Sequence, residues 1–169
     1  VGHFLNVVPG PFSSVSYKHL GGKSFRDTAE EELIKRFLQT VRPSCWSKVK
    51  PELKKDKIIF PDIVTWDSIH YQYYKEYDFE YDSDRKVSQF CEGIAFGADD
   101  VLCGSIEMIM GLDTRNVDIS RWYDLTTTNA LNMKFYANGR IDVKFKDSAT
   151  AESCFKRLRL NEIKLRDEN

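Results

Sequence analysis

Two stretches of alternating apolar and polar residues flank the dipeptide Asn138-Gly139, and this pattern limits the possible folds more than any other part of the sequence. An Asn-Gly pair in such a setting is a strong signal of a β-hairpin. A two-residue loop would place apolar residues opposite polar ones. A three-residue loop that starts at Ala137, with Gly139 left-handed as a bulge, gives one wholly apolar face. The cross-strand pairs predicted from this loop are Phe135 with Ile141, Met133 with Val143, and Leu131 with Phe145.

The other face of the predicted hairpin is polar and mildly basic. The same register places Lys134 opposite Asp142 and Tyr136 opposite Arg140. We expect the pair of Lys134 and Asp142 to be exposed, where it contributes at most about 1 kcal/mol.

A helix and a closing strand are predicted to follow the hairpin. Asp147 or Ser148 provides an N-cap, and the alternation of Ile163 and Leu165 is typical of a strand. The apolar side of the helix comprises Ala151, Cys154, Phe155 and Leu158. The segment from Leu131 to Leu165 is therefore predicted to form a β-β-α-β unit.

The chain before the hairpin is predicted to be mostly helical. Thr28 and Glu31 form a capping box, which predicts a first helix that ends before Pro43. Three later segments have apolar residues at helical spacing: a stripe from Trp66 to Tyr77, a segment from Val87 to near Gly97, and a segment from Asp99 or Asp100 to Gly111. Together with the C-terminal unit, these helices predict an α+β fold that contains an antiparallel sheet.

The stripe from Trp66 to Tyr77 is rich in aromatic residues and also contains His70. Its spacing places these side chains on one side of a helix. We expect that side to pack in the core, with His70 in a structural role; a base-stacking surface is the alternative. Acidic and aromatic residues then alternate, which leaves both helix and strand open for residues 76–84.

A basic segment lies between the first helix and this stripe. Its cations are Lys48, Lys50, Lys54, Lys55 and Lys57, and the short apolar run from Ile58 to Phe60 follows them. We interpret the segment as a basic connector.

The composition is typical of a globular protein, since 41% of the 169 residues are hydrophobic and 30% are charged. This length fits one domain, predicted for residues 26–169, after an irregular arm of residues 1–25 that is rich in Gly, Pro and Ser. The formal net charge of -1 provides no global attraction to nucleic acid. Any binding of nucleic acid must therefore be local.

The cysteines and the hydropathy pattern indicate a cytoplasmic protein. Cys45, Cys91, Cys103 and Cys154 show no CxxC spacing, so they are predicted to be buried free thiols. No apolar run approaches the roughly 18 to 20 residues that a membrane span requires. We expect a reducing compartment and no membrane partner; nothing indicates an oligomeric state.

No catalytic, cofactor or metal motif is complete. Gly22-Lys23-Ser24 ends like a phosphate-binding loop, but Tyr17 occupies the position of the loop's first glycine. The acidic residues after position 76 resemble the start of a calcium loop that lacks its glycine and its closing glutamate. We predict no cofactor and no metal, and we favour a protein that is not an enzyme, although carboxylates distant in sequence can converge in space.

Basic residues on the hairpin predict contacts with phosphate groups. An RNA-recognition fold would place two stacking aromatic residues where this hairpin has Arg140 and Asp142, so we expect no base-stacking platform. The residues predicted to bind nucleic acid are Lys134, Tyr136, Arg140, Lys144 and Lys146.

The segment Asn132 to Phe145 resembles the closing hairpin of an uncharacterised bacterial and phage domain. That domain is often fused to adenine-specific DNA methyltransferases and ends in K-(F/Y)-(F/Y)-x-N-G-x-x-x-(I/V)-x-F, which Lys134 to Phe145 match. Trp46 and Leu112-Asp113 are also similar to the family. The resemblance implies a phage or mobile-element setting and carries over no catalytic residue.

Two functions follow from these patterns. The first is a non-catalytic accessory module that binds DNA or RNA weakly through the basic hairpin face and the Lys48 to Lys57 connector. The alternative is a protein-interaction or inhibitor factor that binds a host or phage enzyme through the acidic, Tyr-rich segment. The acidic residues predicted to bind that partner are Glu76, Asp78, Glu80, Asp82 and Asp84. An enzyme whose site is not visible in the sequence ranks third.

Overall fold

The computed structural model describes residues 24–42 and 48–165. Contacts divide the chain into two units, Val1–Leu33 and Ile34–Asn169. The elements of the described residues are helices α1 (Phe25–Val41), α2 (Ser68–Tyr74), α3 (Ser83–Asp99) and α4 (Ser148–Arg157), and strands β1 (Glu52–Lys54), β2 (Lys57–Phe60), β3 (Tyr123–Asp124), β4 (Ala130–Phe135) and β5 (Ile141–Phe145). The predicted α+β class is confirmed. Residues 1–23 of the predicted arm lie outside the described residues, and the single-domain interpretation stays a prediction.

The strands form one antiparallel sheet in the order β1-β2-β5-β4-β3, so β5 is the central strand. The hairpin of β4 and β5 has most of its predicted register. The pairs that agree are Phe135 with Ile141, Lys134 with Asp142, and Met133 with Val143.

The predicted pair of Leu131 with Phe145 is wrong. Ala130 pairs with Phe145, because the register shifts at Leu131 as in a β-bulge. This shift turns Ala130 into the core, where its exposed fraction is 0%, and leaves Leu131 38% exposed. The alternation of apolar and polar residues therefore does not predict the faces of β4 on the N-terminal side of this bulge.

The hairpin loop has the three predicted residues. Gly139 has a φ of +85°, and its N–H donates to the Tyr136 carbonyl oxygen at 3.0 Å. The N–H groups of Ile63 and Val64 donate to the Gly139 carbonyl oxygen at 2.9 and 3.1 Å. A Cβ at position 139 would overlap the Val64 carbonyl oxygen. Glycine is thus required both by the left-handed backbone and by the close approach of a second segment.

The predicted closing strand at Ile163 and Leu165 is wrong. A short 3-10 helix, Leu160–Glu162, follows α4, and irregular chain follows that helix. The neighbour of β5 is instead β2, which belongs to the segment interpreted as a basic connector. With that side of β5 occupied by β2, the C-terminal residues have no place in the sheet beside it.

The core lies between one face of the sheet and the side chains of the helices. Phe37 of α1, Phe60 of β2 and Phe90 of α3 form an aromatic cluster, in which the Phe60 and Phe90 ring centroids are 4.7 Å apart at 89°. Cys154 of α4 packs closely against Gly97 of α3, where any larger side chain would meet its sulfur atom. Apart from Ile59, the strand residues on the opposite face of the sheet are polar or charged.

Helix α1 begins one turn earlier than predicted. Ser24 Oγ accepts a hydrogen bond from the Asp27 N–H at 2.9 Å, and the Asp27 carboxylate accepts one from the Ser24 N–H at 3.3 Å. Thr28, the predicted cap, lies inside the helix and donates its hydroxyl to the Ser24 carbonyl oxygen at 3.2 Å. Both pairs fit a capping-box spacing, so the sequence alone does not decide between them.

The third predicted helix is confirmed as α3, but the fourth is wrong. A 3-10 helix, Ile106–Met108, is the helical part of that segment, which the structure describes throughout. Asp99 does not begin a helix; its carboxylate accepts hydrogen bonds from the N–H groups of Thr128 and Asn129 at 2.7 and 3.0 Å. Asp100 adopts a left-handed conformation that ends α3.

The cysteine prediction is correct in part. Cys91 and Cys154 are buried, and burial raises the pKa of each thiol to about 12. Cys103 is exposed, contrary to the prediction, and lies in irregular chain before the 3-10 helix. Cys45 lies outside the described residues.

Candidate nucleic-acid interface

Helices α3 and α4 pack on one face of the sheet. The opposite face, which we call the outer sheet face, is rich in basic side chains. They come from alternate residues of each strand and from the residues that flank the hairpin loop. The outer sheet face comprises Glu52, Lys54, Lys57, Ile59, Asp124, Asn132, Lys134, Tyr136, Arg140, Asp142 and Lys144. Four of the residues predicted to bind nucleic acid, Lys134, Tyr136, Arg140 and Lys144, therefore share one face.

Three lysines form a row across three neighbouring strands. Lys54 of β1 pairs with Lys57 of β2, and Lys57 pairs with Lys144 of β5. Side chains directly opposite in an antiparallel sheet have Cβ atoms about 5 Å apart, where like charges are destabilising. The structure thus joins two lysines of the supposed connector to the predicted hairpin site.

A buried carboxylate lies beside this row. Asp142 is 0% exposed, and it accepts two hydrogen bonds from the Arg140 guanidinium at 2.7 Å each. It also accepts from the Tyr136 hydroxyl at 3.1 Å and from Lys57 Nζ at 3.3 Å. Lys134 lies opposite Asp142 as predicted, but the expected exposed ion pair is wrong. Arg140, two residues earlier on the same face, forms the bidentate bond with the buried carboxylate instead.

These contacts set the charge of the Asp142 side chain. Burial raises the pKa of its carboxyl, but hydrogen bonding and charge from Arg140, with Tyr136 and Lys57, outweigh burial and hold the pKa below its usual value. The hydrogen bond to Asp142 likewise raises the pKa of Arg140. Both groups are therefore charged at neutral pH, and Arg140 adds less net positive charge to the outer sheet face than its sequence position indicates.

Two cations lie against the ring of Tyr136. The Arg140 guanidinium is 4.4 Å from the ring centroid, and Lys134 Nζ is 5.2 Å from it. The ring surface that these groups cover is closed to a nucleic-acid base. The outer sheet face is consequently better suited to phosphate groups than to base stacking.

Several lysines of this region have charges that no acid offsets closely. Lys134, Lys144 and Lys146 have no carboxylate within 4.0 Å among residues 24–42 and 48–165. Lys146 follows directly after β5 and is exposed. Lys54 is 3.9 Å from Glu52, and both side chains are more than half exposed, which makes this ion pair weak.

The predicted helix from Trp66 to Tyr77 is much shorter than expected. Helix α2 begins after Asp67, whose carboxylate accepts from two backbone N–H groups, and ends at Lys75, which has a φ of +59°. Trp66 and Tyr77 lie outside the helix and each forms an isolated bridge with another segment. The left-handed Lys75 interrupts the helical spacing that the sequence continues.

The predicted core packing of the aromatic stripe is wrong for the residues of α2. Ile69, Tyr73 and Tyr74 are 67%, 74% and 67% exposed, and α2 contains no buried residue. His70 is part-buried, and its ring centroid lies 4.8 Å from that of Tyr74. Helix α2 thus presents an unusual amount of aromatic surface.

Residues 76–84 form neither one helix nor one regular strand, and their acids do not form one free surface. Glu76 and Asp78 lie 3.2 and 3.7 Å from the two ring nitrogens of His70. Asp82 accepts two hydrogen bonds from Arg85 at 2.9 and 2.7 Å. Glu80 and Asp84, the other two predicted acids, are exposed, and their carboxylates have no hydrogen bond or ion pair among residues 24–42 and 48–165.

Residues 24–42 and 48–165 contain neither a candidate membrane-spanning helix nor a candidate metal site. No helix in that part of the chain has the length and apolar character that a membrane crossing requires. Nor do these residues bring three His, Cys, Asp or Glu side chains together as metal ligands.

Comparison with known proteins gives no relative: no protein-family model, curated protein or solved structure matches the chain. The resemblance of Asn132–Phe145 to the phage domain therefore stays a prediction.

Sequence reasoning missed two parts of the interface. It did not identify β2, although the apolar run Ile58–Phe60 after a lysine-rich turn is consistent with a strand. It also placed Asp142 in solvent, although Arg140 two residues earlier must share its side of the strand. Both patterns are present in the sequence, but each becomes interpretable only once β2 is known to pair with β5.

Proposed function

We propose that this protein binds the phosphate backbone of nucleic acid weakly through the outer sheet face, as an accessory module that performs no chemistry itself. The observation that carries the proposal is the row of Lys54, Lys57 and Lys144. Like charges placed directly opposite destabilise a sheet, and proteins depart from such local rules mainly at functional sites. A bound polyanion would remove that repulsion.

The surrounding charges support the same ligand. Lys134 on β4 and Lys146 after β5 extend the positive region beyond the row. Asp142 offsets Arg140 and part of the charge of Lys57, so binding depends mainly on the other lysines. Contacts of this kind read the backbone and not the bases, so we expect little sequence preference.

The accessory role and the mobile-element setting have a separate basis. They rest on the resemblance of Asn132–Phe145 to the phage domain.

The test is a binding titration with a short duplex DNA, the same strand alone, and the matching RNA, at about 50 mM and about 200 mM salt. With four phosphate contacts on duplex DNA, the association constant should fall about a hundredfold between these salt concentrations. The double variant Lys134→Glu/Lys144→Glu should bind at least about tenfold more weakly, with a shallower salt dependence.

A matched control carries the same change of net charge on the helices. Lys35 of α1 and Lys156 of α4 are exposed, and the variant Lys35→Glu/Lys156→Glu should bind within about threefold of the original protein. Equal loss of binding in both double variants would rule out the outer sheet face as the site. Binding that does not depend on salt, or no binding to any of the three ligands, would rule out the function.

A second candidate function is favoured by the exposed aromatic side of α2. Tyr73 and Tyr74 are mostly exposed, and Tyr81 nearby in sequence is 99% exposed. Aromatic residues are enriched at protein interfaces, and the exposed acids Glu80 and Asp84 follow this helix. We propose that this surface docks a partner protein with a basic surface.

A pull-down with two variants separates this candidate from the first. A basic partner should bind the original protein and Lys134→Glu/Lys144→Glu, but it should be lost with Tyr73→Ser/Tyr74→Ser, which removes exposed aromatic area without opening the core. Capture of the same proteins by both variants would contradict a role for α2.

A further inference from the structure

A groove of about 450 Å³ lies between the hairpin loop and the segment that leads into α2. Its walls are formed by Asp62, Val64, Thr65, Trp66, Ser68, Tyr71, Tyr77, Ala137, Asn138 and Gly139. The groove is separate from the lysine row, since none of its lining residues belongs to the outer sheet face.

Three aromatic rings form one side of the groove. The Trp66 and Tyr77 centroids are 5.3 Å apart with their planes at 69°, and those of Tyr71 and Tyr77 are 4.9 Å apart at 40°. Trp66 is held in place by its indole N–H, which donates to the Tyr136 carbonyl oxygen at 3.1 Å. Rings that meet at such angles present both faces and edges to the space beside them, and the faces attract cations.

The charge of the groove is also suited to a cation. Asp62 is the charged residue among those that line it, and its side chain is exposed. Ser68 and Asn138 add polar groups that can accept hydrogen bonds from an ammonium group. Asp62 has a φ of +56°, a conformation that costs energy for a residue other than glycine.

The chain's own Lys75 indicates which ring accepts an ammonium group. Its Nζ lies 5.3 Å from the centroid of the Tyr71 ring. Lys75 is not among the residues that line the groove, and it too has a left-handed backbone, with a φ of +59°. The Tyr71 ring thus already makes one cation–π contact and also borders the groove.

We infer that this groove binds a lysine side chain of a partner protein, with the aromatic corner of Trp66, Tyr71 and Tyr77 against the ammonium group and Asp62 as its counter-ion. The inference rests on the second candidate function and names the chemistry of the partner. The groove would recognise the lysine, whereas Tyr73 and Tyr74 on the exposed side of α2 would contribute apolar contact area to the same partner.

The test uses the full chain and a capped glycine–serine peptide that contains two lysines, with a norleucine version of the same peptide as the control. Binding is followed by NMR through the indole N–H signal of Trp66 and the backbone signals of the groove. We expect a saturable shift with the lysine peptide and none with the norleucine peptide. Tyr71→Ala should weaken binding about threefold to thirtyfold, and Asp62→Asn should weaken it about threefold.

Two further variants keep the test decisive. Lys75→Gly removes the ammonium group that already contacts the Tyr71 ring, and with it the repulsion of a second cation at that ring. It also relieves the left-handed backbone, so it should tighten binding of the peptide while the protein stays folded. Tyr81→Ala, which removes an almost fully exposed tyrosine that does not line the groove, should leave the affinity unchanged.

Some results would overturn the inference without touching the proposed functions. Equal shifts with the lysine and norleucine peptides would show that the groove does not recognise an ammonium group. Unchanged affinity in a folded Tyr71→Ala variant would show that the peptide binds elsewhere. A partner that depends on Tyr73 and Tyr74 but not on Tyr71 would leave docking on α2 intact and refute the lysine site alone.

Discussion

Asp142 decides which cations of the outer sheet face are available to a ligand. Its carboxylate is fully buried and accepts hydrogen bonds from Arg140, Tyr136 and Lys57. A buried charge without partners is very costly, so these three groups are tied to it. The cations left to meet a ligand are therefore mainly the lysines other than Lys57, and not the arginine that the hairpin pattern favours.

We predict that Asp142→Asn lowers the free energy of unfolding by about 2–4 kcal/mol, because it leaves the Arg140 and Lys57 cations without their buried partner. The pKa of Asp142 is lowered in the folded protein, so its contribution is complete above the ordinary carboxyl pKa of about 3.9. That contribution disappears as the pH falls through the lowered pKa. Urea unfolding at several pH values measures both effects, and the variant should lose less stability in acid than the original protein.

The matched control is Asp124→Asn on the same face of the sheet. Asp124 is exposed and accepts a hydrogen bond from the Asn132 side-chain amide at 2.6 Å. Its substitution should change the free energy of unfolding by no more than about 0.5 kcal/mol. Equal effects at the two positions would contradict a special role for the buried carboxylate.

The best predicted element is the hairpin loop, because its geometry depends on neighbouring residues alone. Asn138-Gly139 and the alternation on both sides fix the loop length and the faces of β4 and β5. The approach of Val64 to the loop was not predictable, since it comes from a distant segment. Gly139 consequently has a second constraint that the turn alone does not explain.

A comparison of two glycines separates these constraints. Gly139→Ala should lower the free energy of unfolding by about 2–4 kcal/mol, because the φ of +85° is strained for alanine and its Cβ would overlap the Val64 oxygen. Gly111 has a similar φ of +74°, but a Cβ there would lie 3.5 Å from the Arg121 side chain, which is an ordinary contact. We therefore expect Gly111→Ala to lower the free energy of unfolding by only about 1 kcal/mol. Thermal unfolding of both variants checks the order, and a larger loss at Gly111 would contradict it.

Other elements show where local patterns mislead. The spacing from Trp66 to Tyr77 fits a helix throughout, yet Lys75 adopts a left-handed conformation and α2 ends there. The segment after Asp99 also has helical spacing, but it forms only the 3-10 helix that ends at the buried Met108, and the buried Ile109 then forms a bridge with Leu125. The spacing of apolar residues predicts which of them share a face of a helix, but tertiary contacts decide whether the backbone forms that helix.

For the whole molecule, the α+β class was predictable and the order of the strands was not. The partner of β5 on one side is β2, and the linked residues Lys57 and Asp142 are 85 residues apart in sequence. No local pattern contains that pairing. Alternation accordingly predicted that Lys134 and Lys144 share one face. Lys54 and Lys57 were expected to contribute as part of a basic connector, but their position in β1 and β2 beside Lys144 was not predictable.

The pairing of β2 with β5 matters to a chain that is still being synthesised. A ribosome that adds about 5–20 residues per second makes β2 roughly 4 to 17 seconds before the partner strand exists. During that time the apolar run from Ile58 to Phe60 could pair with other unfinished chains. Lys54, Lys55 and Lys57 directly precede this run, and charged residues beside an apolar strand suppress aggregation. We therefore expect Lys54 and Lys57, the two members of the lysine row that are made before β5, to protect the nascent chain against aggregation.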